Sequence, residues 1–127
     1  MKTLMIEWKH LVQDDATCVR CSDTGKTLAQ LIGELARECE GNGVRIVFRE
    51  TPLGPDRLRE SNQILFDGIP LMDVLPGAVA GENPCASCCY LLGQTTFCRT
   101  IEHEGKVYEA IPERLIRAAA CQVAGCC

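Results

Sequence analysis

Apolar and polar positions alternate along the first stretch of the chain, where Leu4, Ile6 and Trp8 fall between Met5, Glu7 and Lys9 in Thr3–Leu11 (TLMIEWKHL). A period near two over so short a run predicts a strand. The period then changes. Leu28, Leu31, Ile32, Leu35, Ala36 and Cys39 follow the spacing of a helix stripe, and Gly41-Asn42-Gly43 ends it. Cys39 lies on that stripe, so it reads as a small core hydrophobe rather than a reactive thiol. Val44–Glu50 alternates Val44, Ile46 and Phe48 against charged residues and predicts a second strand. Thr51–Gly54 is a turn, and Pro55-Asp56 opens one or two helical turns reaching Glu60. Gln63–Phe66 followed by Asp67-Gly68 predicts a third strand running into a turn.

Beyond residue 76 the composition shifts to Gly, Pro, Ala and Cys, and Pro76–Gly93 is expected to be a long loop. Cys98–Ile111 has two strand-like halves around Glu104-Gly105, the pattern of a hairpin. Pro112 starts a final helix with Leu115, Ile116, Ala119 and Ala120 on one face, and residues 122–127 (QVAGCC) are expected to form a flexible tail. No internal repeat is visible. Two strands joined through a helix make a right-handed crossover, and the later hairpin is expected to add antiparallel edges to the same sheet. The fold class is therefore α/β, a mixed sheet with flanking helices and a Cys-rich loop insertion over residues 76–98. At 127 residues and 46% apolar content, residues 1–127 form one domain with a sizeable core.

Charge narrows the partners. The net charge is −4, and Lys and Arg are scattered, so a nucleic-acid partner is not expected. The opening MKTLMIEWKHL is broken by Glu7, Lys9 and His10 before it reaches the length of a signal peptide, and no run approaches the roughly 18 uncharged residues of a membrane span. The expected setting is soluble and cytoplasmic, with no membrane partner. This changes the meaning of the ten cysteines. In a reducing compartment clustered thiols serve metal ligation or redox chemistry sooner than a disulfide framework. They fall into Cys18/Cys21, Cys85/Cys88/Cys89 and Cys121/Cys126/Cys127, with Cys39 and Cys98 apart.

Gly25-Lys26-Thr27 resembles the end of a phosphate loop, but the position that would carry its leading glycine is Arg20. Without that glycine the backbone amides cannot curl around a phosphate. Asp23 or Thr24 is instead expected to cap the helix. Cys18-Val19-Arg20-Cys21 lies just before or within the first helical turn. Stepping back seven from Leu28 reaches Cys21, and Cys18 is three further, so both thiols can share a face. A helix N-terminus and Arg20 favour thiolate over thiol, while Asp14, Asp15 and Asp23 oppose it.

The order of strand, dithiol, helix, strand, strand and terminal helix resembles the thioredoxin-like superfamily. The segments EWKHL, Cys18-x-x-Cys21 with Asp23-Thr24-Gly25, ESNQILFDGIPL, CASCC, CRT and YEAIP are similar to an uncharacterised Cys-rich prokaryotic family, domain of unknown function 2703, over nearly the whole chain. The superfamily resemblance implies that Cys18 is the attacking thiol and Cys21 the resolving one. Thioredoxins place a tryptophan directly before the dithiol and a cis-proline opposite it; here Thr17 and the Ser61-Asn62 pair stand in those places. In that superfamily the proline hinders metal capture, so its replacement leaves room for an ion between Cys18 and Cys21.

Cys85, Cys88 and Cys89, with Cys98 further on, offer up to four soft ligands, suited to zinc or another thiophilic ion. Adjacent cysteines such as Cys88/Cys89 and Cys126/Cys127 pair only through a strained ring and grip a soft ion better. His10 can face the dithiol as a base, although a solvated strand end is the commoner setting for such a residue. His103 beside the Glu104-Gly105 turn is expected to be exposed, and Trp8 and Tyr108 to pack in the core or on a sheet face. Two functions stand side by side. One is dithiol-disulfide exchange through Cys18 and Cys21 on a protein or small-molecule disulfide. The other is binding of a thiophilic metal or metalloid ion by Cys18, Cys21, Cys85, Cys88, Cys89 and Cys98, with no enzymatic step.

Overall fold

The computed structural model describes residues 2–12, 19–84 and 97–125. The elements are β1 (Lys2–Leu11), α1 (Val19–Glu40), β2 (Val44–Leu53), a 3₁₀ segment (Pro55–Glu60), β3 (Gln63–Phe66), β4 (Ile69–Pro70), α2 (Leu71–Val74), β5 (Val79–Pro84), β6 (Phe97–His103), β7 (Lys106–Tyr108) and α3 (Glu113–Ala124). The first sheet has the order β2-β1-β3-β4. β1 and β2 are parallel over ten residues each, β3 is antiparallel to β1, and β4 is antiparallel to β3. Two consecutive parallel strands oblige α1 to run back along the sheet, so the N-terminus of α1 lies at the C-terminal end of β1.

Register assigns the faces. Leu4 pairs with Ile46, Ile6 with Phe48 and with Phe66, and Trp8 with Glu50 and with Ile64, so these side chains share one face. Against it pack Leu28, Leu31, Leu35 and Cys39 of α1 and Leu115, Ile116, Ala119, Ala120 and Ala124 of α3, forming one buried cluster. The small residues of α3 let it lie close beside α1. Arg117 ties the two helices at the rim, donating to Glu34 at 2.9 Å and Glu38 at 2.7 Å, an exposed network worth roughly 0–1 kcal/mol per pair. On the opposite face of β1, Thr3 and Met5 are exposed and Glu7 and Lys9 half-buried.

The expected mixed sheet with flanking helices is present, with three corrections. The hairpin does not extend that sheet; β5, β6 and β7 form a separate three-stranded sheet. β4 has only two residues and ends in Pro70, which lacks an N–H donor, so it offers no ladder for another strand. β6 pairs instead with Val79–Pro84, a strand where the composition suggested only loop. Ile101 of β6 inserts into the common core, and the turn residues Glu104 and Gly105 have φ of 52° and 78°, as a tight two-residue hairpin requires.

The second correction concerns α1, which begins at Val19. Asp23 and Thr24 are inside the helix and do not cap it. Thr24 is fully buried, and its hydroxyl accepts the backbone N–H of Ile111 at 3.1 Å, pinning the entry to α3. The third concerns the C-terminus. α3 continues through Ala124 and closes at Gly125, whose φ of 66° lets its N–H reach the Cys121 carbonyl at 2.8 Å. Residues 126–127 lie outside the described residues. No helix among the described residues is long and apolar enough to cross a membrane.

At Gly25 α1 lies directly against the Trp8 ring of β1. A Cβ there would stand 2.6 Å from Trp8 Cη2, whereas one at Gly33 would meet nothing within 4 Å. The same substitution should therefore act oppositely at the two sites. Gly25→Ala should destabilise by about 1–3 kcal/mol through overpacking, and Gly33→Ala should stabilise by up to about 1 kcal/mol through helix propensity. Urea unfolding midpoints of the two variants check both signs.

Candidate functional site

The site grows from the indole of Trp8. Its ring lies under Gly25, and its Nε1–H donates to Asn62 Oδ1 at 3.3 Å. Asn62 holds φ at 56°, a left-handed conformation that asparagine tolerates better than most residues, and its Nδ2 donates to the Glu109 carbonyl at 3.4 Å. Ser61 beside it accepts the backbone N–H of Leu11 at 3.1 Å. The Ser61-Asn62 pair thus lies at the start of β3 against the end of β1, and no peptide bond among the described residues is cis.

His10 is not a solvated strand end. It is 5% exposed, its ring stacks on Trp8 with centroids 3.9 Å apart and planes 13° from parallel, and its Nε2 is 2.6 Å from Glu50 Oε1. Parallel pairing explains this. His10 and Trp8 are two apart on β1 and share a face, and Glu50, opposite Trp8 on β2, points the same way. The carboxylate side chain is 54% exposed, so the pair has a dry imidazole and a wet carboxylate. On the other face of β1, Lys9 reaches Glu60 at 3.4 Å, and Glu60 is gripped by Arg57 at 2.7 and 2.8 Å.

Of the thiols named from sequence, position 21 is in the first turn of α1, one helical turn before Gly25 and on the same face. α1 starts one residue after Cys18, with no acidic residue in its first turn. Cys98 is in β6, its Cα opposite Asn83. Cys18, Cys85, Cys88 and Cys89 lie outside the described residues, as do the side chains of Cys21 and Cys98. Cys39 is fully buried as expected of a core residue, but it is also disulfide-bonded, as is Cys121. Among the described residues no group of three or more His, Cys, Asp or Glu side chains could hold a metal ion. His103 is half-buried rather than exposed, with Nδ1 buried and without a partner among the described residues.

The family model described as a domain of unknown function (DUF2703) matches residues 4–120. The chain belongs to this family. An uncharacterized protein of Archaeoglobus fulgidus is 32% identical over 117 residues, covering 89% of this chain and 82% of the relative. No solved structure matches the chain. The stretch matched by the DUF2703 model contains Trp8, His10, Cys18, Cys21, Glu50, Ser61 and Asn62.

Glu50 is the residue that sequence reasoning missed, although a signal was available. The alternation Val44, Ile46, Phe48 continued by two reaches Glu50, an acid on the inward face of a strand. Asn62 carried less signal, because its role depends on a ring 54 positions away.

Glu60 titrates low. The hydrogen bond from Arg57 is the largest cause, partial burial opposes it, and the Lys9 contact adds to the lowering, leaving its carboxyl at about 2 against an ordinary 4.5. A carboxylate depressed in the folded state stabilises fully above its unfolded pKa and loses that contribution as pH falls through its folded value. Stability should therefore decline from about pH 4.5 toward pH 2 through this group, and Glu60→Gln should flatten that part of the curve while lowering stability at pH 7. Thermal melts across pH 2–7 measure the difference.

Proposed function

We propose that this protein is a cytoplasmic thioredoxin-like thiol protein that carries out dithiol-disulfide exchange through Cys18 and Cys21. The observation that carries the reading is the start of α1 at Val19, which sets the Cys18-x-x-Cys21 motif across a helix N-terminus that has no acid in its first turn. Partial positive charge at a helix N-terminus favours thiolate over thiol and so raises the reactive fraction at neutral pH. The crossover from β1 through α1 to β2, followed by antiparallel β3 and a C-terminal helix over the same face, supports the thioredoxin-like assignment.

In the reaction, the Cys18 thiolate attacks one sulfur of a substrate disulfide and expels the other as a thiolate. Cys21 loses its proton and attacks Cys18, breaking the mixed disulfide and releasing the second substrate thiolate. Two electrons pass to the substrate, and a Cys18–Cys21 disulfide remains. Ser61 and Asn62, both hydrogen-bonded to the C-terminal half of β1, are neutral and add no charge there.

The test uses the reduced protein and a disulfide substrate such as oxidised glutathione, followed by intact mass. Cys21→Ser should accumulate a mixed disulfide on Cys18, and Cys18→Ser should reduce turnover to the background rate. Protein purified anaerobically with a stoichiometric ion that is lost on Cys88→Ser, and inert toward disulfides, overturns the exchange reading in favour of an ion carrier.

A further inference from the structure

We infer that the face of β1 and β2 turned away from α1 and α3, at the N-terminal end of β1, is a contact surface for a second copy of this chain. The inference goes beyond the thiol chemistry and uses none of its residues.

The two faces of the first sheet are covered unequally. α1 and α3 pack on the inner face. On the outer face the 3₁₀ segment lies at the end where Leu53 and Leu65 are buried and Lys9 reaches Glu60. Toward the other end Thr3, Met5, Arg45 and Arg49 are exposed and Val47 is half-buried. β1 and β2 are parallel, and parallel strands ordinarily have both faces covered. Met5 is nevertheless 40% exposed, between Leu4 and Ile6 of the inner face at 1% and 0%.

Charge decides what fits this open half. Register places Arg45 beside Thr3, Val47 beside Met5 and Arg49 beside Glu7. Asp67, at the end of β3, accepts the Met5 N–H at 2.8 Å through Oδ1 and donates its own N–H to the Met5 carbonyl at 2.8 Å. From β2 to β3 the patch therefore runs from two arginines, through Met5 and Glu7, to Asp67. Neither arginine belongs to an ion pair among the described residues. A surface with an apolar centre, a basic side and an acidic side meets the condition for a self-complementary twofold contact.

The register selects one orientation. A twofold axis over Met5 and parallel to β1 lays β2 of each copy across the end of β3 of the other. Val47 then faces Asp67, with Arg45 and Arg49 roughly 6.6 Å to either side of it, and Met5 meets Met5. An axis across the strands would instead lay β2 on β2 and put Arg45 against Arg49. Edge-to-edge pairing of β2 centred on Val47 meets the same repulsion, and Pro52 gives that edge no donor. So few side chains fall far short of the roughly 20–30 residues a side of a standard interface, so the dimer is weak and reversible.

The test is sedimentation equilibrium of the 127-residue chain, kept reduced so that no intermolecular disulfide contributes. It spans about 10 µM to about 1 mM protein, at about 50 mM and about 500 mM sodium chloride. The wild type should dimerise reversibly, at least about fivefold more tightly at the lower salt, because exposed charge pairs are screened. Arg49→Glu should weaken the dimer by about tenfold or more through like charges brought together, and Met5→Lys should abolish it. Val107→Lys, at an apolar residue 59% exposed on the second sheet, should leave it unchanged. Far-UV circular dichroism matching the wild type shows that a loss is not unfolding, and the wild-type salt dependence stands without any variant. A wild type that stays monomeric throughout overturns the proposal, and binding of a Glu-rich peptide to that monomer, lost in Arg49→Glu, reassigns the face to an acidic partner. A dimer that Arg49→Glu tightens overturns the orientation, since only β2 lying on β2 converts a repulsion into an attraction. A dimer weakened by Val107→Lys as much as by Met5→Lys moves the contact to the other sheet.

Discussion

The contact between the Trp8 indole and the glycine edge of α1 governs the arrangement of the rest of the site. A helix crossing a sheet is ordinarily held off by its side chains, but Gly25 lets the ring carbons reach within 2.6 Å of where a Cβ would be. The indole is held by three neighbours. α1 covers one part, the His10 ring stacks on it, and its N–H is taken by Asn62. Because the ring is rigid and its hydrogen bond directional, helix, strand and the start of β3 are fixed against one another by one side chain. Glycine inside a helix costs about 1 kcal/mol relative to alanine, a cost offset here by the packing it permits.

The second sheet is joined to this centre through polar groups as well as through the core. The segment after β7 uses the Glu109 carbonyl to accept from Asn62 and the Ile111 N–H to donate to Thr24. Buried side chains that satisfy backbone groups across sequence separations of 47 and 87 residues make the segment part of the site's wall. Ile101 supplies the apolar counterpart from the middle of β6. The hairpin sheet is thus anchored by its central strand and by its exit toward α3.

Charge is distributed by face. The Lys9–Glu60–Arg57 group lies behind β1, whereas the face covered by α1 has the His10 imidazole against the Glu50 carboxylate. Separation of this kind lets one short strand carry an ion cluster on one face and a buried imidazole paired with a carboxylate on the other. The disulfides at Cys39 and Cys121 belong to the far half of α1 and the last turns of α3, well along both helices from the helix mouth. They place oxidised sulfur in the helix layer, where the stripe pattern alone suggested a lone apolar thiol.

Local pattern was enough for much of the fold. The alternation of Leu4, Ile6 and Trp8, the stripe from Leu28 to Cys39, the limits of Gln63–Phe66 and the turns at Asp67-Gly68 and Glu104-Gly105 are consequences of side-chain period and turn chemistry, which act between near neighbours. The start of α1 at the Cys18-x-x-Cys21 motif was legible, but the capping role expected of Asp23 or Thr24 fails because both lie inside the helix, where Thr24 is bonded to Ile111. The destination of the hairpin was misjudged because pairing depends on which edge is long enough to accept a strand, and β4 is not. His10 is the clearest case of the division. Its residue type and its place on a strand were legible, but its burial depends on parallel register with β2, stacking on Trp8 and the depth to which Gly25 admits a helix. The chain by itself determined which residues alternate, turn and cluster as thiols. The tertiary structure decided which of them share a face, because that depends on strand register and helix direction, quantities carried by backbone hydrogen bonds and packing between segments distant in sequence.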